Sequence, residues 1–75
     1  MSYREFLDEM AELVEMDRGQ LTGSEKLEDL GGWTSIAMVS YIALADDRFG
    51  KTLSPRDIRG CQTVQDLAKL VGLAV

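Results

Sequence analysis

The sequence predicts an all-α fold: a four-helix bundle with three main helices, one short helix and a long first loop. Three observations lead there. Apolar residues recur at spacings of three and four in separate segments, which is the period of an amphipathic helix. Residues that cap helix starts precede these segments. No stretch alternates apolar and polar residues long enough to make a strand.

The first helix is expected from residue 3 to about 17. Ser2 followed by Glu5 is a capping-box pattern. Tyr3, Phe6, Leu7, Met10, Leu13 and Val14 fall on one stripe about 120° wide, and Gly19 is the expected stop. Residues 18–34 then read as a loop, with Gly19, Gly23, Ser24, Gly31 and Gly32 as turn residues and Leu21, Leu27 and Leu30 as pegs into the core. A structureless connection of this length is unusual in a small domain and is often functional.

The second helix is expected from Thr34-Ser35 to Phe49, with Gly50 as its stop. Met38, Tyr41, Ile42, Ala45 and Phe49 form the stripe assigned to the core. The opposite side carries Ile36, Val39, Ser40, Ala43, Asp46 and Asp47. Apolar Ile36 and Val39 on that side have no core to enter. Ser54-Pro55 reads as a cap and first position of a short helix ending at Gly60. Thr63 and Asp66 open the last helix, with Val64, Leu67, Leu70, Val71 and Ala74 as its buried stripe.

Seventy-five residues allow one domain, 1–75. The formal charge of −5 argues against a partner of nucleic acid, which needs a basic face. Residues 1–30 hold nine acids against three bases, while residues 31–75 are nearly balanced. The chain has no His, which removes the usual general base and the Ser-His and Cys-His nucleophile pairs, so self-sufficient catalysis is not expected. A single Cys, Cys61, excludes an internal disulfide. With no signal-peptide pattern and no apolar run near the ~20 residues of a membrane span, a cytoplasmic protein without membrane contact is expected.

The segment Leu27-Glu28-Asp29-Leu30-Gly31-Gly32-Trp33-Thr34-Ser35-Ile36-Ala37 resembles the prosthetic-group segment of acyl carrier proteins, one branch of which reads Gly-Trp-Asp-Ser-Leu-Ala. Phe49-Gly50 and Thr63-Val64-Gln65-Asp66-Leu67 resemble that family's later motifs, in the same order. The resemblance covers nearly the whole chain. It implies a bundle of acyl-carrier type, non-catalytic and monomeric, whose serine, here Ser35, carries a covalent 4′-phosphopantetheine arm. An acyl group held as a thioester would be presented to separate acyl-loading and acyl-processing enzymes, after modification by a phosphopantetheinyl transferase. The pathway could be fatty acid or polyketide biosynthesis, or other secondary metabolism. Independently of the family, a helix start tolerates the negative phosphodiester, through unpaired N–H groups and about +0.5 of an elementary charge.

The chain departs from the family pattern in three ways. Thr34 stands where Asp is usual and brings no carboxylate. Ile36 replaces the usual Leu. Ala37 and Ser40 stand at places where fatty-acid carriers usually have acids, leaving Asp46 and Asp47. Partner docking is then expected to rest on Ile36, Val39 and Ala43 more than on charge steering. Trp33 could pack on the arm or on a partner, or could close the loop over the core. Cys61 reads as a buried small apolar residue. Glu25, Glu28 and Asp29 lack the spacing of a calcium loop. Two alternatives remain at this level: a peptidyl carrier of nonribosomal synthesis, whose usual signature puts one residue between Gly-Gly and Ser where this chain has two, and an unmodified helical interaction module.

Overall fold

The computed structural model describes residues 1–75 and contains four α-helices: α1 (Tyr3–Leu13), α2 (Ser35–Phe49), α3 (Pro55–Arg59) and α4 (Val64–Leu70). A single 3-10 turn, Leu27–Asp29, interrupts the first loop. There are no strands; the one β-type contact is an isolated antiparallel bridge between Lys26 and Thr63. No helix is long and apolar enough to cross a membrane.

The helix starts follow the sequence signals. Ser2 with Glu5, Ser54 with Asp57 and Thr63 with Asp66 all form reciprocal capping boxes. Each satisfies two backbone donors that the helix itself leaves orphaned. Thr34 caps α2 through its hydroxyl, which accepts from the Ala37 N–H at 3.3 Å.

The ends are less faithful to expectation. α1 stops at Leu13, four residues before the predicted end, and Gly19 is not its stop. The Met16 N–H bonds back to the Ala11 carbonyl and the Glu15 N–H to that of Glu12, the two bonds of a Schellman turn. Its left-handed position is held by Glu15 at φ 63°, a place usually taken by Gly. The turn is kept because Met16 then packs against the core. α2 ends as expected on left-handed Gly50, whose N–H donates to the Asp46 carbonyl. α4 closes at Val71–Gly72, so Ala74 lies beyond the helix, exposed, rather than in its buried stripe.

The core is built from Phe6, Met10, Leu21, Tyr41, Ile58, Val64 and Leu67, all essentially without solvent contact, with smaller residues between them. On α2 the fully covered positions are Ala37, Tyr41 and Ala45, spaced by four. Met38, Ile42 and Phe49 pack at the margins of the core, half-buried, as does Leu13 of α1. The buried stripe of α2 is therefore rotated toward Ala37 relative to expectation, because the loop before α2 and the end of α1 cover that side.

Tyr41 ties the elements together. Its ring meets Phe6 edge-on at 6.2 Å and Trp33 at 6.3 Å between centroids. Its hydroxyl donates to the Leu67 carbonyl of α4. Burial pushes the phenol pKa above its ordinary value, so it stays a donor. Replacing Tyr41 by Phe keeps the ring contacts and leaves that carbonyl without this donor. The expected loss is about 1–3 kcal/mol of stability, read as a lower denaturation midpoint with an unchanged slope. A midpoint equal to the wild type would show that this bond does not hold α4 to α2.

Candidate functional site

The long first loop is ordered by polar bonds to its surroundings. The Glu25 carboxylate accepts from the N–H groups of Thr22 and Gly23, both at 2.8 Å, and from the Thr22 hydroxyl at 3.0 Å. Burial works to raise the pKa of Glu25, but these donors outweigh it and hold the carboxyl below its ordinary value. Three backbone bonds then stitch the loop to the start of α4: Leu27 N–H to the Gln62 carbonyl, Val64 N–H to that of Glu25, and Gln65 N–H to that of Gly23. Leu21 and Leu27 are buried and Leu30 half-buried, as the pegs predicted from sequence. Glu25 is thus a clamp of the loop, a role its sequence context did not reveal.

From Leu30 the chain approaches α2 through two glycines. Gly32 lies so close to α1 that a Cβ there would run into the Val14 carbonyl. This approach packs the Gly31–Trp33 turn onto the end of α1. Trp33 is half-buried against the core and edge-on to Tyr41, so it closes the loop over the interior. Closing the loop over the core is therefore one of the expected roles of Trp33 that the side chain fills.

Ser35 follows as the first residue of α2, exposed, and its hydroxyl bonds no other group of the chain. The N–H groups of Ser35 and Ile36 likewise have no partner within the chain, while the next, from Ala37, is taken by Thr34. There is no acidic residue in the first turn of α2. A free hydroxyl beside free donors, with no carboxylate on the same turn, suits an ester of a negatively charged phosphate group.

The remaining candidates divide by face. Ile36 is 79% exposed and Val39 65%, the most exposed large apolar side chains of the molecule. Ala43, Asp46 and Asp47 are also exposed, so Ile36, Val39 and Ala43 with the two acids share the outer side of α2. Ala37 does not belong with them; it is 4% exposed and covered. Arg48 reaches from α2 to Glu9 of α1 at 3.4 Å, an exposed ion pair of little energetic weight. Cys61 lies away from this site, half-buried rather than fully so. Burial, and then the charges of Asp66 and Asp57, push its thiol pKa up, which makes it a poor nucleophile.

The geometry predicts opposite responses from two neighbouring glycines. Gly32→Ala forces the loop off α1 and should cost about 1–3 kcal/mol, as overpacking does. At Gly31 an added Cβ meets nothing within 4 Å. Gly31→Ala should therefore stay within about 0.5 kcal/mol of wild type in the same denaturation experiment. Equal effects would contradict the close approach.

Comparison with known families places residues 4–71 on the model described as the phosphopantetheine attachment site. No curated protein and no solved structure matches the chain.

Proposed function

Because the chain belongs to the phosphopantetheine-attachment family of carrier domains, we propose that Ser35 is the residue to which its 4′-phosphopantetheine is attached, and that the cargo is an acyl group. As a member of that family the domain is a non-catalytic carrier with a covalent prosthetic group. The bound group supplies a terminal thiol, on which cargo is held as a thioester.

The observation that carries the assignment to Ser35 is its combination of exposure, a free hydroxyl and two free N–H groups at the start of α2. The role of the chain is positional. Thr34 fixes the first turn of α2, so the Ser35 oxygen stands clear of the surface and within reach of a phosphopantetheinyl transferase. Once that oxygen is esterified, the dipole of α2 and the free N–H groups favour the remaining negative charge by about 0.3–1 kcal/mol at such an exposed position. The reading as an acyl rather than a peptidyl carrier rests on the two residues, Trp33 and Thr34, between Gly32 and Ser35.

Incubation with coenzyme A and a broad-specificity phosphopantetheinyl transferase tests the attachment. The wild type should gain the mass of one phosphopantetheinyl group and Ser35→Ala should gain none. Modification that survives in Ser35→Ala would overturn the assignment. Thr34→Asp should speed modification by transferases that read an acid beside the serine.

The outer face of α2 is the proposed docking surface for the transferase and for acyl-loading enzymes. Ile36→Ser and Val39→Ser should each change stability by less than about 1 kcal/mol, as exposed substitutions do, while slowing modification or loading. Because Asp46 and Asp47 are the only acids on that face, raising salt should slow loading only modestly. A melting curve for each variant beside loading rates at two salt concentrations decides this. Unfolding by Val39→Ser with unchanged loading of the folded fraction would contradict it.

A further inference from the structure

Glu15 is unfavourable in three ways and has no compensating contact. It is the only residue other than glycine with a positive φ, at 63°. That backbone conformation strains a residue with a Cβ, and glycine adopts it freely. Glu15 also stands just past the C-terminal end of α1, where helix carbonyls disfavour an anion and the last turn holds no base. Its side chain is exposed and joins no ion pair, whereas Asp8, Glu9 and Glu12 of the same helix pair with Arg4, Arg48 and Arg18. The turn does not need this side chain. A glycine would keep both backbone bonds and the packing of Met16 without the strain.

Its place in the fold supplies the reason to keep it. Glu15 lines one surface cleft together with Gly31, Gly32, Thr34 and Ile36, the last two being the chain neighbours of Ser35. A residue that breaks local preference and gains nothing inside its own chain points to a role outside it. Resting on the assignment of the attachment to Ser35, we propose that Glu15 is a specificity-determining residue for modification: its carboxylate meets a Lys or Arg side chain of the phosphopantetheinyl transferase when that enzyme engages Ser35. The first turn of α2 has no acid and its cap, Thr34, has no carboxylate. Glu15 supplies from the end of α1 the negative charge that the start of α2 lacks, and it does so without placing an acid on the turn that bears the ester. Its role is to bind the enzyme, not to take part in the transfer of the group. One contact between exposed charges changes affinity by about two- to fivefold. That size agrees with a modest dependence of modification on salt.

The test measures modification kinetics with coenzyme A and a broad-specificity phosphopantetheinyl transferase, with a denaturation curve and intact mass for each variant. Glu15→Gln removes the charge and keeps the shape, and Glu15→Gly removes the charge and the strain. Glu28→Gln is the control: it removes the same charge from an exposed residue of a different cleft, which includes neither neighbour of Ser35. Both Glu15 variants should raise KM for the carrier about two- to fivefold with kcat unchanged. Glu15→Gly should do so while its denaturation midpoint rises above the wild type, a pairing that a merely structural role would not give. Glu28→Gln should match the wild type. High salt should narrow the gap between Glu15→Gln and the wild type, as screening removes the contact from both. Wild-type KM in Glu15→Gln would overturn the proposal and leave the attachment standing. An equal rise in Glu28→Gln would also overturn it, because net charge would then be the cause. A wild type that gains no mass at Ser35 would overturn the attachment and this inference together.

Discussion

The position of Tyr41 is the constraint on which the rest of this small structure depends. One side chain meets Phe6 of α1, Trp33 of the loop and the Leu67 carbonyl of α4. It is the interior side chain of the core that carries a polar group, and that group has its partner, so no unpaired polar atom is left inside. A domain of this size has a thin core and little stability to spare. Fixing three elements through one residue is how α2 acquires a defined rotation. That rotation decides which of its side chains meet solvent.

The functional geometry follows from the rotation. With Ala37, Tyr41 and Ala45 turned inward, Ile36, Val39 and Ala43 must face out, since they lie on the far side of the same helix. Trp33, held against Tyr41, fixes the chain immediately before α2, and Gly32 allows that chain to lie against α1. Ser35 is thereby presented from a rigid frame although it has almost no contacts of its own. For the proposed attachment point this is the combination a carrier needs: a position fixed by the fold, and a surface around it open to partners. The acids of the chain are concentrated in residues 1–30, and the first turn of α2 carries none. The first turn of α2 therefore brings no carboxylate of its own beside the proposed attachment point.

Much of this was legible in the sequence where the signal is local. The capping boxes at Ser2, Ser54 and Thr63 depend on residues three apart, and the span of α2 is framed by Thr34 and Gly50. The family resemblance and the exposed side of α2 were readable for the same reason. What escaped is set by tertiary contact. α1 ends early because packing of Met16 holds Glu15 in a left-handed turn, against the local preference for Gly. Ala37 has too small a side chain to announce its burial, which comes from the loop laid over it. The clamp at Glu25 and the Tyr41–Leu67 bond join residues whose relation is visible only in three dimensions.

The account stands on a phosphodiester at Ser35, and the most direct measurement is peptide-level mass spectrometry of the protein purified from its native host. The account predicts a phosphopantetheinyl group on the peptide containing Ser35, localised to that residue, with an acyl thioester on a fraction of the molecules. A protein recovered without the group, or with it on Thr34 or any other residue, would contradict it.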